Sequence, residues 1–171
     1  MRKISISFLF AFLLVGCGYT PTAKLAQNVI GERVYVEVEI SRVDPQNTVL
    51  IRDAVTSALM NRFNSVIVDK NLADTVLYTT LLNTKFQAIA YDINGYVISY
   101  RTVVTLKTNY EIRESKTKGS LTTKGEYDFP IVANSVISDA KRFEAIKFAS
   151  ESAIDEFLAV VAIKGLQNNK E

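Results

Sequence analysis

Two long β-rich runs, residues 75–92 and 96–113, are separated by a single Asn94-Gly95 pair. Asn-Gly accepts the positive φ angles of a type I′ turn and is the strongest short-range signal for a β-hairpin. The two runs therefore predict one antiparallel hairpin, and each arm is roughly three times as long as an average strand. This long hairpin must therefore form the centre of the β-sheet in any fold of the chain.

The register of this hairpin requires an irregularity in the first arm. A two-residue turn pairs Tyr91 with Ile98, and both then lie on the apolar face of the second arm. The same register turns the earlier apolar residues of the first arm away from that face, namely Val76, Tyr78, Leu82 and Phe86. One extra residue near Gln87-Ala88 would return them to the core side, so the pattern predicts a β-bulge there.

A second interpretation of the hairpin has no bulge. Its tip would then be a separate apolar patch, and large exposed apolar patches mark interaction sites. The residues exposed as a binding feature would be Tyr91, Ile93, Tyr96 and Ile98.

A strand and an amphipathic helix precede the hairpin. From Val34 to Ile40, β-branched residues alternate with tyrosine and glutamate, which is the period of a half-buried strand. Asp44 followed by Pro45 is typical of a helix N-cap and the first helical position. Apolar residues at helical spacing then predict a helix that ends near Asn64, with a core stripe of Ile51, Ala54, Val55, Ala58, Leu59 and Phe63.

A third strand and a long helix follow the hairpin. Alternation around residues 121–131 predicts the strand, and the charged link over residues 113–119 predicts an exposed turn before it. A helix is predicted from about Ser138 to Lys164, and Gly165 is expected to end it. Its apolar stripe consists of Phe143, Ile146, Ala153, Ile154, Phe157, Leu158 and Val161.

The element order β-α-β-β-β-α predicts an α+β fold. Each helix has one apolar stripe and each strand has one apolar face, so a two-layer sandwich satisfies all of them. In this sandwich, two helices pack on one face of a four-stranded mixed sheet whose strand order the sequence leaves open. The opposite face of the sheet is expected to be polar and of mixed charge, with Glu37, Glu39, Arg101, Lys107, Lys124 and Glu126.

The N-terminal residues have the three parts of a secretory signal. Arg2 and Lys3 give a positive start, residues 8–15 form an unbroken apolar run, and Gly16 is a small residue directly before Cys17. The run is far shorter than the roughly 20 residues of a membrane-spanning helix, which favours an export signal that is removed. Its end, LVGC, also resembles a bacterial lipobox. An ordinary signal peptide that happens to contain a cysteine is the alternative.

In lipobox signals the cysteine carries a diacylglycerol on sulfur, cleavage falls just before it, and its new amino group is acylated. Two or more acyl chains give stable membrane anchoring, so Cys17 is the predicted lipidation site. Gly18 resembles the residue that follows the cysteine in lipoproteins sorted to the outer membrane. The predicted divisions are a signal peptide over residues 1–16, a lipidated tether over 17–32, one α/β sandwich domain over 33–165 and a frayed tail over 166–171.

Composition excludes several classes of function. The chain has no histidine and one cysteine, which removes Ser-His-Asp and Cys-His catalysis and histidine zinc sites. Its seven glycines form no phosphate-binding loop. Removal of residues 1–16 lowers Lys plus Arg from 20 to 18, against 18 Asp plus Glu, so the basic excess of a nucleic-acid binder is missing. The sequence therefore predicts a protein that is not an enzyme and that binds no metal, no nucleic acid and no cofactor apart from the covalent lipid. If the protein were an enzyme after all, a pair of catalytic carboxylates would be the remaining possibility.

Several segments together are similar to one known family. The lipobox with CGYTP, then VYVEV, a helix containing IRDAVTSAL, a long Asn-Gly hairpin, a third strand and a closing helix resemble the lipopolysaccharide-assembly lipoprotein family LptE. The resemblance covers nearly the whole mature chain and lies in element order more than in a site motif. It implies a lipid-anchored protein on the periplasmic face of the outer membrane. Such a protein plugs and helps to assemble the LptD β-barrel, and it assists lipopolysaccharide insertion into the outer leaflet.

Lipopolysaccharide carries phosphates and acyl chains, so a site for it is expected to place Arg or Lys beside apolar surface. In family members with basic residues at the hairpin turn, that turn has been linked to lipopolysaccharide contact, but here it has Asp92 and no base. The candidate binding residues therefore lie elsewhere, and they are Lys85, Arg101, Lys107, Lys116 and Lys118. Two alternatives stay open. These charges could be ordinary solvated side chains, and the protein could be an envelope adaptor for another periplasmic or peptidoglycan partner.

Overall fold

The structure is a computed structural model and describes residues 29–39 and 45–168. Five strands form one sheet in the order β2-β1-β3-β4-β5. Strand β1 runs parallel to β2 and β3, and the β3–β4 and β4–β5 pairs are antiparallel. The elements are β1 (Arg33–Glu39), α1 (Pro45–Phe63), β2 (Val66–Ile67), β3 (Thr75–Tyr91), β4 (Val97–Ile112), β5 (Thr117–Pro130) and α2 (Asp139–Asn168), with a short 3-10 turn at Lys70–Leu72.

The predicted α+β class, with two helices on one face of a mixed sheet, is confirmed, but the prediction of four strands is wrong. The additional strand is β2, which pairs with the first two residues of β1. The amide of Val66 in β2 donates to the Glu32 carbonyl at 2.7 Å, and the amide of Val68, just after β2, donates to the Val34 carbonyl at 3.1 Å. A strand of two residues has no alternation, so its sequence carries no periodic signal.

Helix α1 has the predicted apolar stripe and ends where the sequence indicates. All six predicted stripe residues are buried against the sheet and α2. The helix stops because Asn64 adopts a φ of 51°, and Ser65 N donates to Leu59 O at 3.0 Å across the terminus. Asn in the left-handed conformation is a known substitute for Gly at the end of a helix. The predicted N-cap Asp44 lies outside the described residues.

Helix α2 begins as predicted, directly after Ser138, whose carbonyl accepts a hydrogen bond from Arg142 N at 2.9 Å. Its predicted stripe is buried except for Phe143, which is partly exposed in a groove beside Leu50. Glu151, predicted on the polar side, is buried instead. It accepts a hydrogen bond from Arg62 of α1 at 2.8 Å, so an interhelix ion pair compensates its burial.

Arg62 also pairs with Asp155, one turn further along α2. Burial raises the pKa of the Asp155 carboxyl, although the guanidinium opposes that shift. The two carboxylates thus share one cation from the other helix. This arrangement fixes the position of α1 against α2 along their shared groove.

The predicted end of α2 at Gly165 is wrong, because the helix continues to Asn168. The predicted tail over residues 166–171 therefore begins inside the helix. Gly165 has a packing role instead: a Cβ at this position would lie 2.5 Å from a methyl carbon of Val29. A residue without a side chain permits this close approach.

A glycine also determines how α2 lies on the sheet. A Cβ at Gly125 of β5 would lie 1.8 Å from the Ala149 carbonyl oxygen and 2.3 Å from Ala153 N. The backbone of α2 therefore rests directly on the backbone of β5. Small residues on both sides of the contact make this distance possible.

An aromatic cluster extends the core towards the hairpin. Phe129 is fully buried, and its ring centroid lies 6.4 Å from Phe86, 6.2 Å from Tyr100 and 6.5 Å from Tyr127. Tyr127 in turn packs on Phe148 of α2 at 4.8 Å. Offset and edge-to-face contacts of this kind add to the free energy of burial. The cluster thereby fastens the middle of the long β3–β4 ribbon to the helical layer.

The hairpin is present as predicted, but its turn is not type I′. Asp92 N donates to Tyr96 O at 2.8 Å, which closes a loop of three residues, and Gly95 N donates to Asp92 O at 3.0 Å. Only Gly95 has a positive φ in this loop, at 83°. A turn followed by a left-handed glycine is the common three-residue hairpin loop. Asp92 selects it, because its Oδ1 accepts hydrogen bonds from Asn94 N and Tyr96 N.

The predicted bulge is confirmed in its approximate place, but its predicted consequence is wrong. Gln87 and Ala88 pair in continuous register with β4, and the register shifts directly after Ala88. An unpredicted second shift at Leu82 decides which side chains reach the core. Before it, Leu77 and Leu81 face the helices; after it, Phe86 does. Val76 and Tyr78 therefore lie on the opposite face from the one predicted.

Candidate ligand-binding face

The sheet face that points away from the helices, here called the open face, is polar as predicted. The register of β4 and β5 places Arg101, Lys107, Lys124 and Glu126 on it. Glu39 of β1 lies on the same face and accepts a hydrogen bond from the Thr80 hydroxyl at 2.9 Å. Threonine, serine and asparagine occupy most of the remaining positions between these charges. The open face therefore offers hydroxyl, amide and ammonium groups, with apolar side chains such as Val76 and Val103 among them.

Arg101, the first predicted binding residue, is already fully engaged. Its Nε and Nη2 donate to the two carboxylate oxygens of Asp128 at 2.7 and 2.8 Å. Its Nη1 lies 2.9 Å from Glu126 Oε2. This bidentate hydrogen bond holds the pKa of Asp128 below its usual range. Arg101 is thus a structural cross-link between β4 and β5, and it has little capacity left for an external anion.

Lys116 and Lys118 lie at the other end of the sheet from the hairpin turn. Lys118 belongs to β5 rather than to the predicted turn, and its Nζ pairs with Glu111 Oε1 at 3.0 Å. Lys116 occupies the turn itself with a φ of 54°. Lys118 is opposite Glu111 and Lys85 is opposite Val103, so eight strand residues, about 26 Å, separate these two lysines along the sheet. The five predicted cations therefore do not form one site.

Three lysines do come together on the open face. All three are close to Thr105 of β4. Lys124 is directly opposite Thr105 on β5, and Lys107 lies two residues after Thr105 on β4 itself. Lys85 of β3 is opposite Val103, two residues before Thr105. All three lysines are exposed, and within the described residues no ion pair involves their ammonium groups. We call this set (Lys85, Lys107, Lys124) the lysine triangle. Lys124 was predicted on the polar face but not as a binding residue, because its place beside Lys107 depends on the β4–β5 register.

The lysine triangle has the chemistry of an anion site on a flat surface. Each ammonium group offers three donors and a full positive charge on a flexible stem. The neighbouring acids Glu126 and Asp128 share the single positive charge of Arg101, so they leave one negative charge against the three positive charges of the lysines. Thr105, Thr122 and Asn83 lie between the lysines and supply neutral donors and acceptors. A phosphate or carboxylate with attached sugar hydroxyls fits such a surface.

A cleft at the far end of the sheet from the hairpin turn suits an anion less well. It has a volume of about 640 Å³ and is lined by Gly31, Leu72 and several charged residues. Arg33 is paired there with Asp74 at 2.6 Å, and Arg113 donates to two backbone carbonyls at 2.5 and 3.1 Å. Among the described residues, no group of His, Cys, Asp or Glu is arranged to hold a metal ion.

A family comparison agrees with this architecture. The sequence model described as "LptE: Lipopolysaccharide-assembly" matches residues 35–160, which is well over half of the chain. The chain belongs to the LptE family. The match runs from β1 into the last third of α2, so it includes the long hairpin and the lysine triangle of this LptE-family member. The description names an assembly role and no chemical reaction.

Solved structures share the fold at low sequence identity. A lipoprotein from Caulobacter crescentus CB15 is 11% identical with a TM-score of 0.50, and the match covers 85% of this chain and 98% of that one. A protein from Xanthomonas campestris is 11% identical with a TM-score of 0.52, at 82% and 88% coverage. Rare lipoprotein B from Shewanella oneidensis is 14% identical with a TM-score of 0.41, at 81% and 93% coverage. The Caulobacter crescentus and Xanthomonas campestris structures support the fold alone. A separate comparison with curated protein sequences found no match to this LptE-family chain.

The helices of this LptE-family chain were also compared with the requirements of a bilayer. Neither α1 nor α2 combines the length and the continuous apolar character of a membrane-crossing helix within residues 29–39 and 45–168. The predicted lipidation site Cys17 and the predicted signal peptide lie outside the described residues.

Proposed function

We propose that this protein is an outer-membrane lipoprotein, acylated at Cys17, that works with an LptD-like β-barrel to insert lipopolysaccharide into the outer leaflet. The family match over residues 35–160 is the observation that carries the proposal. The lipobox at Leu14-Val15-Gly16-Cys17 supports it independently, because that pattern lies outside the matched range. Acyl chains on Cys17 would hold the body at the periplasmic face of the membrane.

The surface of the body is compatible with a plug inside a barrel. The interior of a large outer-membrane barrel is polar, and the open face carries charges of both signs, several of which form ion pairs across neighbouring strands. Arg101 joins β4 to β5 through Asp128 and Glu126, and Lys118 pairs with Glu111 in the same two strands. Paired charges on a five-stranded sheet present a stiff surface with little net charge to a polar wall.

Recovery of the barrel tests this proposal directly. A tagged mature protein, extracted from its native membrane in mild detergent, is expected to bring down a large outer-membrane β-barrel protein. Recovery of the lipoprotein alone from intact membranes would contradict the plug. Depletion distinguishes the adaptor alternative, because loss of a periplasmic or peptidoglycan adaptor would leave surface lipopolysaccharide unchanged.

Within this function, the lysine triangle is the proposed contact for the phosphates of lipopolysaccharide. Replacement of Lys85, Lys107 and Lys124 together by glutamine is expected to weaken lipopolysaccharide binding by at least about tenfold, since each charge-assisted contact contributes about 1.5–3 kcal/mol. Binding would be measured by titration of the soluble mature chain with purified lipopolysaccharide.

A control variant tests whether binding depends on where the lysines lie or only on how many positive charges are removed. Replacement of Lys116, Lys147 and Lys164 by glutamine removes the same number of exposed charges from other surfaces. This control is expected to bind lipopolysaccharide nearly as well as the wild type. Equal losses in the two triple variants would show that net charge, and not the triangle, governs binding.

A further inference from the structure

Strand β5 forms one edge of the sheet, and its outer side has no partner strand among the described residues. The opposite edge of the sheet is β2, which has only two residues. A short edge strand leaves few backbone groups unpaired, whereas β5 has 14 residues. An edge of this length can accept a further extended segment as an additional strand.

Two hydrogen bonds identify the amides of β5 that point outward. Ile131 N, directly after β5, donates to Ile98 O of β4 at 3.0 Å, so the backbone groups of odd-numbered residues face β4. Lys124 N donates instead to Glu156 Oε2 of α2 at 2.8 Å. The β4–β5 register is continuous, and backbone groups alternate in direction along an antiparallel pair. The outward amides therefore belong to the even-numbered residues Lys118, Ser120, Thr122, Lys124, Glu126 and Asp128.

Only the middle of this edge is covered. The Glu156 carboxylate takes the place that a carbonyl of an added strand would take, and it covers the amide of Lys124 alone. Within the described residues, the other outward amides of β5 have no hydrogen-bond partner. Successive outward amides are about 7 Å apart, which is the two-residue repeat of an extended chain. The edge therefore recognises the backbone of an extended segment rather than a particular side chain.

The side of α2 next to this edge adds apolar surface. Phe148 packs on Tyr127 of β5 with ring centroids 4.8 Å apart, and it is still 37% exposed. Ile163 follows Glu156 by seven residues, which is two helical turns, so it lies on the same side of α2. It is 57% exposed. A segment beside β5 would direct every second side chain towards this apolar surface and the others towards the open face.

The charges along the open-face side of β5 favour a basic residue in the added segment. Glu126 and Asp128 share the single charge of Arg101, which leaves one negative charge near the hairpin end of β5. A Lys or Arg of the segment would complement this charge. The complementary segment therefore alternates apolar and polar residues and carries a base beside Asp128.

From these observations we propose that an extended segment of the barrel partner pairs with the outer edge of β5 and adds a sixth strand to the sheet. This inference rests on the proposed function, because that function supplies the barrel, and it identifies a surface that binds the barrel protein. The added strand lies beside the plug within the lumen, so it is compatible with enclosure by the barrel. A second copy of this chain is the competing occupant.

Proline at position 120 tests the role of the outward amides. Ser120→Pro removes one outward amide but none of the β4–β5 hydrogen bonds, and edge strands tolerate proline where the amide faces solvent. The preceding residue, Gly119, has no Cβ to clash with the proline ring. In the full lipoprotein, Ser120→Pro is expected to lower recovery of the barrel in mild detergent about tenfold. The matched control Ser120→Ala keeps the amide and is expected to recover the barrel as well as the wild type.

Hydrogen exchange measures the same pairing in the wild-type protein, so it does not depend on the folding of a variant. The outward amides of Ser120, Thr122, Glu126 and Asp128 are expected to exchange at least about tenfold more slowly in the extracted complex than in the lipoprotein purified without the barrel. The amides of Leu121 and Thr123 face β4 and serve as internal controls. They are expected to exchange slowly in both samples.

The outcomes separate this inference from the proposed function. Recovery of the barrel by the wild type, with unchanged exchange of the outward amides, would overturn the pairing and leave the barrel partnership intact. A loss of recovery with Ser120→Pro would not rescue the pairing in that case, because the loss would then come from misfolding. Slow exchange without the barrel that becomes fast on dilution would identify a second copy as the occupant and overturn the proposal. Failure of the wild type to recover a barrel would overturn both.

Discussion

Gly125→Ala is expected to lower the free energy of unfolding by about 3 kcal/mol, at the upper end of the usual cost of overpacking. The new Cβ would lie 1.8 Å from the Ala149 carbonyl oxygen and 2.3 Å from Ala153 N. Both atoms belong to the backbone of α2, so no side-chain rotation relieves the contact. The helix has to move away from β5, which loosens its packing along the strand. Chemical denaturation of the purified mature domain measures the loss.

Gly119→Ala is the matched control in the same strand. Its Cβ would lie 2.5 Å from the Tyr110 hydroxyl, and the contacted atoms belong to a side chain rather than to the backbone of a helix, so a small shift of the ring relieves the contact. We therefore expect a loss of less than about 1 kcal/mol for this variant. Similar losses at the two positions would indicate that the helix does not rest on Gly125 in the manner described.

The elements with a long, regular pattern were predictable from the sequence. The stripe of α1 is buried at every predicted position, since a period of 3.6 over five turns leaves one face apolar. The LptE resemblance is confirmed by the family match, and it rests on the same order of elements. These features were predictable because the same hydrophobic spacing is repeated over many residues.

The errors came from places where a few residues decide the geometry. Asp92 accepts two loop amides and so converts the expected two-residue turn into a loop of three. The extra residue at Leu82 then reverses the faces of the preceding part of β3. Strand β2 has two residues and exists only because β1 offers it a partner. A pattern of alternation cannot locate a bulge when apolar residues occur on both faces of a strand.

The candidate site depended on pairings that no local pattern encodes. Arg101 looked available in the sequence, but the β4–β5 register places Asp128 directly opposite and Glu126 diagonally across from it. The same register brings Lys124 beside Lys107 and adds it to the site. The sequence shows which residues of a strand are charged. Whether a charged side chain is already engaged in an ion pair depends on the neighbouring strands. The exposed tip was predicted only for a hairpin without a bulge, and the register shift after Ala88 contradicts that alternative. Ile93 is exposed nevertheless, because it lies in the loop.

Cys17→Ser is expected to remove the lipid attachment, so that only protein held by a barrel partner remains in the outer-membrane fraction. Each buried methylene of an acyl chain contributes about 0.8 kcal/mol to membrane affinity, so the chains of a modified cysteine dominate every other contact with lipid. Membrane fractionation of the native host, followed by immunodetection, measures the change.

Mass spectrometry of the same samples identifies its cause. The wild-type protein is expected to begin at Cys17 and to carry the mass of a diacylglycerol and an acyl chain, whereas Cys17→Ser carries neither. Gly16→Ala is the matched control, because it keeps a small residue before the cysteine and is expected to be processed normally. An unmodified wild-type cysteine would remove the anchor. The protein would then reach the outer membrane only through a partner, and the outer-membrane assignment would have to rest on that partner alone.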